Sequence, residues 1–212
     1  MERRYILAEK LSIKDLVREL YDFSKLGAIS LPGVLTPMAV EDLVNVAELN
    51  MHLFRDVPRY EGTAEQEMRV LYLEKIQRNE LSIESLSILD QFRGEYLKIY
   101  NDMAQEAQFD ERDFNKIGFH HYPSGSIGIT PHQDYERHIN LISIFNLVGN
   151  TKFYCCQDEC RRGAYALETA PGSLILLRAA RKREEQRFRP YHYIEPMEYL
   201  RLSLNIRKRV PM

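Results

Sequence analysis

Short segments in which apolar and polar residues alternate fill the second half of the chain, and they constrain the fold more than any other feature of the sequence. Turn residues such as "PSG" and "APGS" separate them. Alternation with period two predicts strands, and because no helical segment intervenes, a jelly-roll-type sandwich or barrel is favoured over a parallel α/β sheet. Eight strands are predicted, namely KIGFHHY (116–122), SIGIT (126–130), HINLISIFNLV (138–148), TKFYCC (151–156), AYALETA (164–170), SLILLR (173–178), YHYIE (191–195) and YLRLSLNIRKR (199–209).

Residues 1 to about 110 have apolar positions at helical spacing instead. The predicted helices are 12–27, with Ser12 as N-cap and Gly27 as stop; 36–50, with Thr36 as cap and Pro37 in the first turn; 62–77, with Thr63 and Gln66 in capping-box spacing; and 82–107. We therefore expect an α+β protein with a single domain over residues 1–212. Residues 1–110 would form a mainly helical scaffold or lid, and residues 111–212 the core of strands.

Charge and cysteine content exclude some classes of function. With 29 basic and 31 acidic residues the net charge is −2, so no global field attracts nucleic acid or an anionic membrane. The first residues are charged throughout and no long apolar run follows, which favours a cytoplasmic protein without a membrane segment. Cys155, Cys156 and Cys160 lack the spacing of a zinc finger and are expected to be free thiols in or beside a strand. Nothing indicates the oligomeric state.

The segment "PHQDY" contains a candidate pair of metal ligands. His132 and Asp134 are two residues apart, so on an extended segment their side chains point to the same face. Such a pair is common by chance, and a polar strand edge is the alternative interpretation. His192, at the start of a later predicted strand, offers a third donor. Two imidazoles and one carboxylate form a facial triad, which suits Fe(II) with open positions better than structural zinc.

The last predicted strand adds a candidate anion clasp. Arg201, Ser203, Asn205 and Arg207 alternate on one of its faces. A guanidinium pairs bidentately with a carboxylate, so Arg201 beside a metal site could hold the far end of a dicarboxylate, and the Ser203 hydroxyl could add a hydrogen bond. The alternative interpretation is an exposed, Arg-rich strand, and we adopt it for Lys208 and Arg209.

Five segments together resemble the Fe(II)/2-oxoglutarate-dependent oxygenases: "HHYPSG", "PHQDY", "APGSLILLR", "RPYHYI" and "RLSLNIR". The resemblance covers roughly residues 115–209. It implies a double-stranded β-helix of the jelly-roll or cupin-like type with helices packed outside. It also implies Fe(II) as the metal, with 2-oxoglutarate and O2 as co-substrates. The order of helices and strands agrees with that fold, whereas the first 110 residues contain no motif of the family.

The resemblance also implies roles for individual residues. His132, Asp134 and His192 would be the iron ligands. Arg201 and Ser203 would match the Arg-x-Ser clasp on the distal carboxylate of 2-oxoglutarate, and Tyr122 a tyrosine that hydrogen-bonds the co-substrate. Further candidates for contacts within the substrate pocket are His120, which shares strand parity with Tyr122, together with Tyr135, Arg137, Asn205 and Arg207.

Three functions remain open from the sequence. The leading one is oxidation of a C–H bond in a small molecule, such as an amino acid or a natural-product intermediate. The spacing between Arg201 and Arg207 is also similar to that of the oxidative demethylases of alkylated nucleic-acid bases, although no basic lid is visible in the first half of the chain. The third possibility is a jelly-roll binding protein without catalysis.

Overall fold

The second half of the chain folds as the predicted strands. In the computed structural model, which describes residues 5–7, 11–22, 25–62, 64–110, 112–180, 185 and 189–211, all eight have a counterpart. They are β6 (Lys116–Tyr122), β7 (Ile129–His132), β8 (His138–Val148), β9 (Phe153–Cys156), β10 (Tyr165–Leu167), β11 (Leu174–Arg178), β12 (Tyr191–Ile194) and β13 (Arg201–Arg209).

These strands form two antiparallel sheets. The larger sheet has the order β1-β11-β8-β13-β6-β5-β2 and the smaller one the order β10-β9-β12-β7. Strands that are distant in sequence are therefore neighbours, as β8 and β13 are, which is typical of a double-stranded β-helix. The expected α+β class with this core is confirmed. The strands β1 (Ala28–Leu31), β2 (Arg55–Asp56) and β5 (Arg69–Tyr72) extend the larger sheet, and β3 (Tyr60–Glu61) pairs with β4 (Ala64–Glu65) in a separate hairpin.

Three of the four predicted helices are present, as α1 (Ile13–Leu20), α2 (Pro37–Leu49) and α3 (Ile83–Glu106). Thr36 caps α2 by accepting a hydrogen bond from the Ala39 N–H at 3.1 Å, and Pro37 lies in its first turn. The first helix differs from the prediction. It ends at Leu20 rather than at Gly27, and the Ser12 hydroxyl donates to Asp15 instead of capping the helix.

The helix predicted over 62–77 is wrong. Thr63 lies outside the described residues, and the rest of the segment forms β4, β5 and a short 3-10 helix over Leu73–Lys75. Val70 and Leu71 are buried, and β5 pairs with β6 along four residues. The edge of the β6 strand thus determines the conformation of this segment, and pairing with a distant strand overrides a local pattern that is compatible with a helix.

The apolar residues form two layers of core. On one face of the larger sheet, Leu141, Phe145 and Leu204 pack against the helices, where Phe92 and Tyr96 of α3 contact Phe145 edge to face. On the other face, a second set packs between the two sheets; it includes Ile142, Ile144, Ile175, Phe153 and Ile194. The alternation along β8 therefore divides its side chains between the helix layer and the space between the sheets, where the polar site lies.

None of the described helices is long and apolar enough to cross a membrane. Cys155 and Cys156 are buried in β9 and Cys160 is exposed, and all three are free thiols. The expectation for the cysteines is confirmed.

Candidate functional site

A cavity of about 620 Å³ opens between the two sheets. Nearly all of the polar residues that the sequence singled out line it, whereas Ser203 is buried outside the lining and contacts Arg201. The lining includes His120, Tyr122, His132, Asp134, Tyr135, Arg137, His192, Arg201, Asn205 and Arg207. Strand order explains this convergence, because β6 and β13 are neighbours in the larger sheet and β7 and β12 are neighbours in the smaller one.

His132 and His192 lie next to each other on adjacent strands of the smaller sheet. They are direct partners in the antiparallel register of β7 and β12, and their ring centroids are 4.3 Å apart. Gly128 makes this approach possible. It has a φ of +75°, and a Cβ atom there would lie 2.2 Å from the carbonyl oxygen of Ile194, so only glycine lets the two strands meet.

Both imidazoles are held in the tautomer that suits metal ligation. The Nδ1 of His132 donates to the Thr130 carbonyl at 2.9 Å, and the Nδ1 of His192 donates to the Pro190 carbonyl at 3.3 Å. A carbonyl can only accept, so each Nδ1 carries the proton and each Nε2 keeps a free electron pair. Metal-bound histidines are typically oriented in this way by a backbone carbonyl on the other nitrogen.

Asp134 approaches the two histidines from the loop that follows β7. Its backbone carbonyl accepts a hydrogen bond from Arg189, whose own carbonyl accepts one from Gln133 at 2.6 Å. The carboxylate is 9% exposed, with Oδ1 3.1 Å from the Arg207 guanidinium and 3.4 Å from the Nδ1 of His138. The other oxygen, Oδ2, has no hydrogen-bond partner among the described residues.

Two acceptors therefore face each other inside the site. Asp134 Oδ2 lies 3.4 Å from His192 Nε2. Burial and the neighbouring His132 lower the pKa of His192 to about 3, so protonation of the ring does not relieve the repulsion at neutral pH. Burial raises the pKa of Asp134, but Arg207 and His138 outweigh it and hold that pKa well below the ordinary range, so the carboxylate is ionised. A cation shared by the two atoms would turn this repulsion into attraction.

This donor set fits a metal ion. Two imidazoles with free Nε2 electron pairs and one carboxylate oxygen without a partner are the ligands of a 2-His-1-carboxylate centre. Within the part of the chain that the structure describes, no three His, Cys, Asp or Glu side chains already stand at the mutual distances of a metal site.

Arg201 is a buried cation without a counter-ion. It is 1% exposed, and no carboxylate of the described residues lies within 4.0 Å of it. Its Nε and Nη2 atoms have no hydrogen-bond partner among those residues, and its guanidinium lies 5.6 Å from the Tyr122 ring centroid. Burial lowers its pKa. Burying an unpaired charge is costly, so an anionic ligand beside these donors would be stabilising.

A chain of polar side chains runs from Arg201 along the same face of β13. Arg201 Nη1 donates to the Ser203 hydroxyl at 3.4 Å, and that hydroxyl donates to Asn205 Oδ1 at 3.0 Å. The Asn205 amide lies 3.3 Å from His120 Nδ1. Burial and Arg207 hold the pKa of His120 well below its usual value, so the ring is neutral. The chain fixes the direction in which Arg201 presents its free donors.

Sequence reasoning missed several residues of the cavity. His138 was not among the predicted site residues, yet its Nδ1 lies 3.4 Å from the Asp134 carboxylate. Arg209, which we assigned to an exposed strand end, lines the cavity together with Lys75, Lys116 and Tyr72. Glu61, on the β3–β4 hairpin, accepts a hydrogen bond from the Tyr135 hydroxyl. The signal for His138 was its spacing of four residues from Asp134, whereas Lys75 and Tyr72 had none because their segment was predicted as a helix.

Solved structures with the same fold support this description of the chain. A prolyl-4-hydroxylase from Pseudomonas putida superposes with a TM-score of 0.68 at 15% identity, over 92% of this chain and 99% of that one. A prolyl hydroxylase from Trichoplax adhaerens, in complex with a peptide fragment of hypoxia inducible factor, gives 0.64 at 14%, over 93% and 90%.

An auxin-oxidising dioxygenase from Arabidopsis thaliana, in complex with 2-oxoglutarate, gives a TM-score of 0.62 at 14% identity, over 96% of this chain and 91% of that one. No family model and no curated protein matches the sequence. At these identities the likeness concerns the fold, and the chain has the fold of the Fe(II)/2-oxoglutarate-dependent oxygenases.

Proposed function

We propose that the protein is an Fe(II)- and 2-oxoglutarate-dependent dioxygenase that oxidises a C–H bond of a small molecule. The observation that carries the proposal is the coexistence in one cavity of two uncompensated features. His192 Nε2 and Asp134 Oδ2 lie 3.4 Å apart with facing electron pairs, and a cation between them would be stabilised. The buried Arg201 has donor atoms without partners among the described residues, and an anion beside them would be stabilised. Iron and 2-oxoglutarate satisfy both.

In this proposal, His132, Asp134 and His192 hold the iron. Arg201 anchors the distal carboxylate of 2-oxoglutarate through its two free donor atoms, and Ser203 fixes the guanidinium from behind. Tyr122, the cross-strand partner of Arg201, bounds the same end of the cavity. When bound, iron, 2-oxoglutarate and O2 supply the oxidising chemistry, with succinate and carbon dioxide as products.

The protein residues contribute placement and protection from water. Arg207 keeps Asp134 ionised, because its guanidinium lowers the pKa of the carboxylate. The carbonyls of Thr130 and Pro190 keep both imidazoles in the required tautomer. The apolar residues of the layer between the sheets, among them Ile144 and Phe153, line the cavity and limit access of solvent to the reacting groups.

A second candidate function is oxidative demethylation of alkylated nucleic-acid bases. One specific observation favours it. Arg201 and Arg207 lie on the same face of β13 in the spacing that the sequence shares with those demethylases, and the second arginine contacts Asp134. The neutral balance of charge over the whole chain favours the small-molecule reading.

Succinate release across a substrate panel tests the proposal. The panel contains free amino acids, proline-containing peptides and methylated oligonucleotides; the peptides are included because two of the similar structures are prolyl hydroxylases. We expect succinate formation that depends on Fe(II) and O2 and rises with one small molecule. His132→Ala should reduce it to the iron-free background, and the exposed His52→Ala should leave it unchanged.

Each other outcome has a definite meaning. Stimulation by methylated oligonucleotides alone would support the second candidate. Iron and 2-oxoglutarate binding without succinate under all conditions would support a binding protein instead. Full activity of the His132→Ala variant would contradict the assignment of the iron ligands.

A further inference from the structure

The end of the cavity away from Arg201 carries an excess of positive charge. Asp134 and Glu61 are the carboxylates among the lining residues; the first pairs with Arg207 and the second accepts from Tyr135. Against these two, the lining contains five cations besides Arg201, which are Lys75, Lys116, Arg137, Arg207 and Arg209. Because the whole chain has a net charge of −2, this excess is local to the site.

Two of these cations lie over one aromatic ring, and a third lies at the end of the neighbouring strand. The ammonium groups of Lys116 and Lys75 lie 4.1 Å and 5.3 Å from the centroid of the Tyr72 ring. Lys116 is the cross-strand partner of Arg207, and Arg209 is two residues further along β13. No carboxylate of the described residues lies within 4.0 Å of the side chains of Lys75, Lys116 or Arg209. We call these three residues the distal cations.

The backbone accommodates this arrangement. Gly118 lies beneath Tyr72, and a Cβ atom at that position would be 2.7 Å from the ring. Glycine therefore lets the ring approach β6 closely, with the Lys116 ammonium near it. The cluster is unfavourable for the free protein, because burial and the adjacent Arg207 lower the pKa of Lys116 to about 8.

The distal cations are separate from the proposed 2-oxoglutarate clasp. Arg201 pairs with Tyr122 and Arg207 with Lys116, so the two ends of the shared strand face are six residues, or roughly 20 Å, apart. Of the candidate iron ligands, Asp134 contacts this face at Arg207. A molecule that reaches the iron from the distal end would pass over Tyr72 and place one of its groups among the distal cations.

We propose that the substrate is a small molecule with a carboxylate or phosphate group, and that Lys75, Lys116 and Arg209 bind this group. This inference rests on the proposed function, since it places the substrate opposite the co-substrate in the same cavity. The anion relieves the repulsion among the three cations, and the Tyr72 ring offers an apolar surface to the adjoining part of the molecule. The body of the substrate then lies between the distal cations and the iron ligands.

Binding of simple anions to the metal-free protein tests this inference without turnover. Inorganic phosphate and acetate are titrated by calorimetry with saturating 2-oxoglutarate present, so that Arg201 is occupied. We expect wild-type protein to bind phosphate at millimolar concentration and the Lys75→Met/Lys116→Met variant to bind it at least about tenfold more weakly. The Lys98→Met/Lys152→Met variant removes the same charge from two exposed positions and should bind like wild type.

The two anions distinguish the possible groups. Binding of phosphate alone supports a phosphorylated substrate, and binding of both supports a site that accepts carboxylates as well. Absence of binding of both anions, or equal binding by the wild-type and the Lys75→Met/Lys116→Met proteins, would overturn the inference. So would binding of a single-stranded oligonucleotide without binding of either free anion.

Failure of the proposed function gives a different result. In that case 2-oxoglutarate itself fails to bind to wild-type protein, whereas phosphate binding can persist and remain sensitive to Lys75→Met/Lys116→Met. If instead 2-oxoglutarate binds and Arg201→Met abolishes it, but phosphate binding is absent, the co-substrate site stands and only the distal anion site is excluded.

Discussion

Two buried arginines on one face of β13 have opposite surroundings. Arg207 is paired, with its guanidinium 3.1 Å from the carboxylate of Asp134. Arg201, six residues away on the same strand, has no carboxylate partner among the described residues and keeps two donor atoms unused. Both side chains are largely removed from water, so hydration does not explain the difference.

We interpret this difference as a structural role for Arg207 and a ligand-binding role for Arg201. At Arg207 the protein supplies its own counter-charge, and the pair holds Asp134 ionised beside the histidines. At Arg201 the counter-charge is missing, and the free energy of folding is less favourable for it. A strand that satisfies one arginine and leaves the other open is organised for an anionic ligand at the open end.

The largest expected effect concerns stability in the absence of ligands. Arg207→Met removes the partner of a buried carboxylate and should lower the free energy of unfolding by about 3 kcal/mol. Arg201→Met replaces an unpaired buried cation with an apolar side chain of similar length and should raise the free energy of unfolding by about 1–3 kcal/mol. Urea unfolding of the metal-free proteins measures both.

Adding 2-oxoglutarate sharpens this contrast. Wild-type protein should gain about 2.7 kcal/mol at a ligand concentration one hundred times Kd, whereas Arg201→Met should gain almost nothing. Equal destabilisation by the two substitutions, with no response to 2-oxoglutarate in wild type, would mean that Arg201 is a structural residue.

Between pH 7 and pH 5, the buried imidazoles should determine how stability depends on pH, and His192 is one of them. The pKa of His192 is about 3 in the folded protein and near 6.5 when unfolded, so the unfolded chain binds this proton first as the pH falls. The lowered pKa of His132 acts in the same direction. Stability of the metal-free protein should therefore be fully present above pH 6.5 and fall below it, by up to about 1.4 kcal/mol per pH unit for His192.

Urea midpoints measured between pH 7 and pH 5 check this dependence. His192→Gln should make the profile less steep, because His132 and His120 still titrate, and His52→Gln, on the surface, should not change it. A profile that is flat for wild-type protein over this range would contradict the neutral, buried state of the two imidazoles.

A smaller effect on 2-oxoglutarate binding is expected at Ser203, which contacts Arg201. Ser203→Ala removes the hydroxyl that accepts from Arg201 and donates to Asn205, which loosens the guanidinium without removing its charge. We expect the Kd for 2-oxoglutarate to increase about fivefold, with iron affinity unchanged. Ser203→Thr keeps the hydroxyl and serves as the matched variant. A loss as large as that of Arg201→Met would give Ser203 a direct role in binding.

The sequence predicted the second half of the molecule well because alternation is a local signal. Most strands from β6 to β13 could be read from their own residues, although β10 is largely exposed and β11 is buried throughout. The pairs His132/Asp134 and Arg201/Ser203 lie within single segments. The partners of these groups could not be predicted in the same way. The contact of Arg207 with Asp134 depends on how β13 packs against the loop after β7, and the place of Tyr72 depends on pairing of β5 with β6.

Residues 62–77 show most clearly where prediction from the local sequence pattern fails. Their apolar spacing is compatible with a helix, yet part of the segment pairs with the edge of β6 as strand β5. This pairing brings Tyr72 and Lys75 to the cavity. An error in local structure there became an error in the site, because Tyr72 and Lys75 were overlooked.

The most direct test of the account is the visible absorption of the protein with Fe(II) and 2-oxoglutarate in the absence of oxygen. Chelation of iron by 2-oxoglutarate gives a metal-to-ligand charge-transfer band. We expect this band in wild-type protein, its loss in His132→Ala, and in Arg201→Met its appearance only at much higher concentrations of 2-oxoglutarate. Absence of the band in folded, iron-loaded wild-type protein would contradict the central claim that this cavity holds iron and 2-oxoglutarate together.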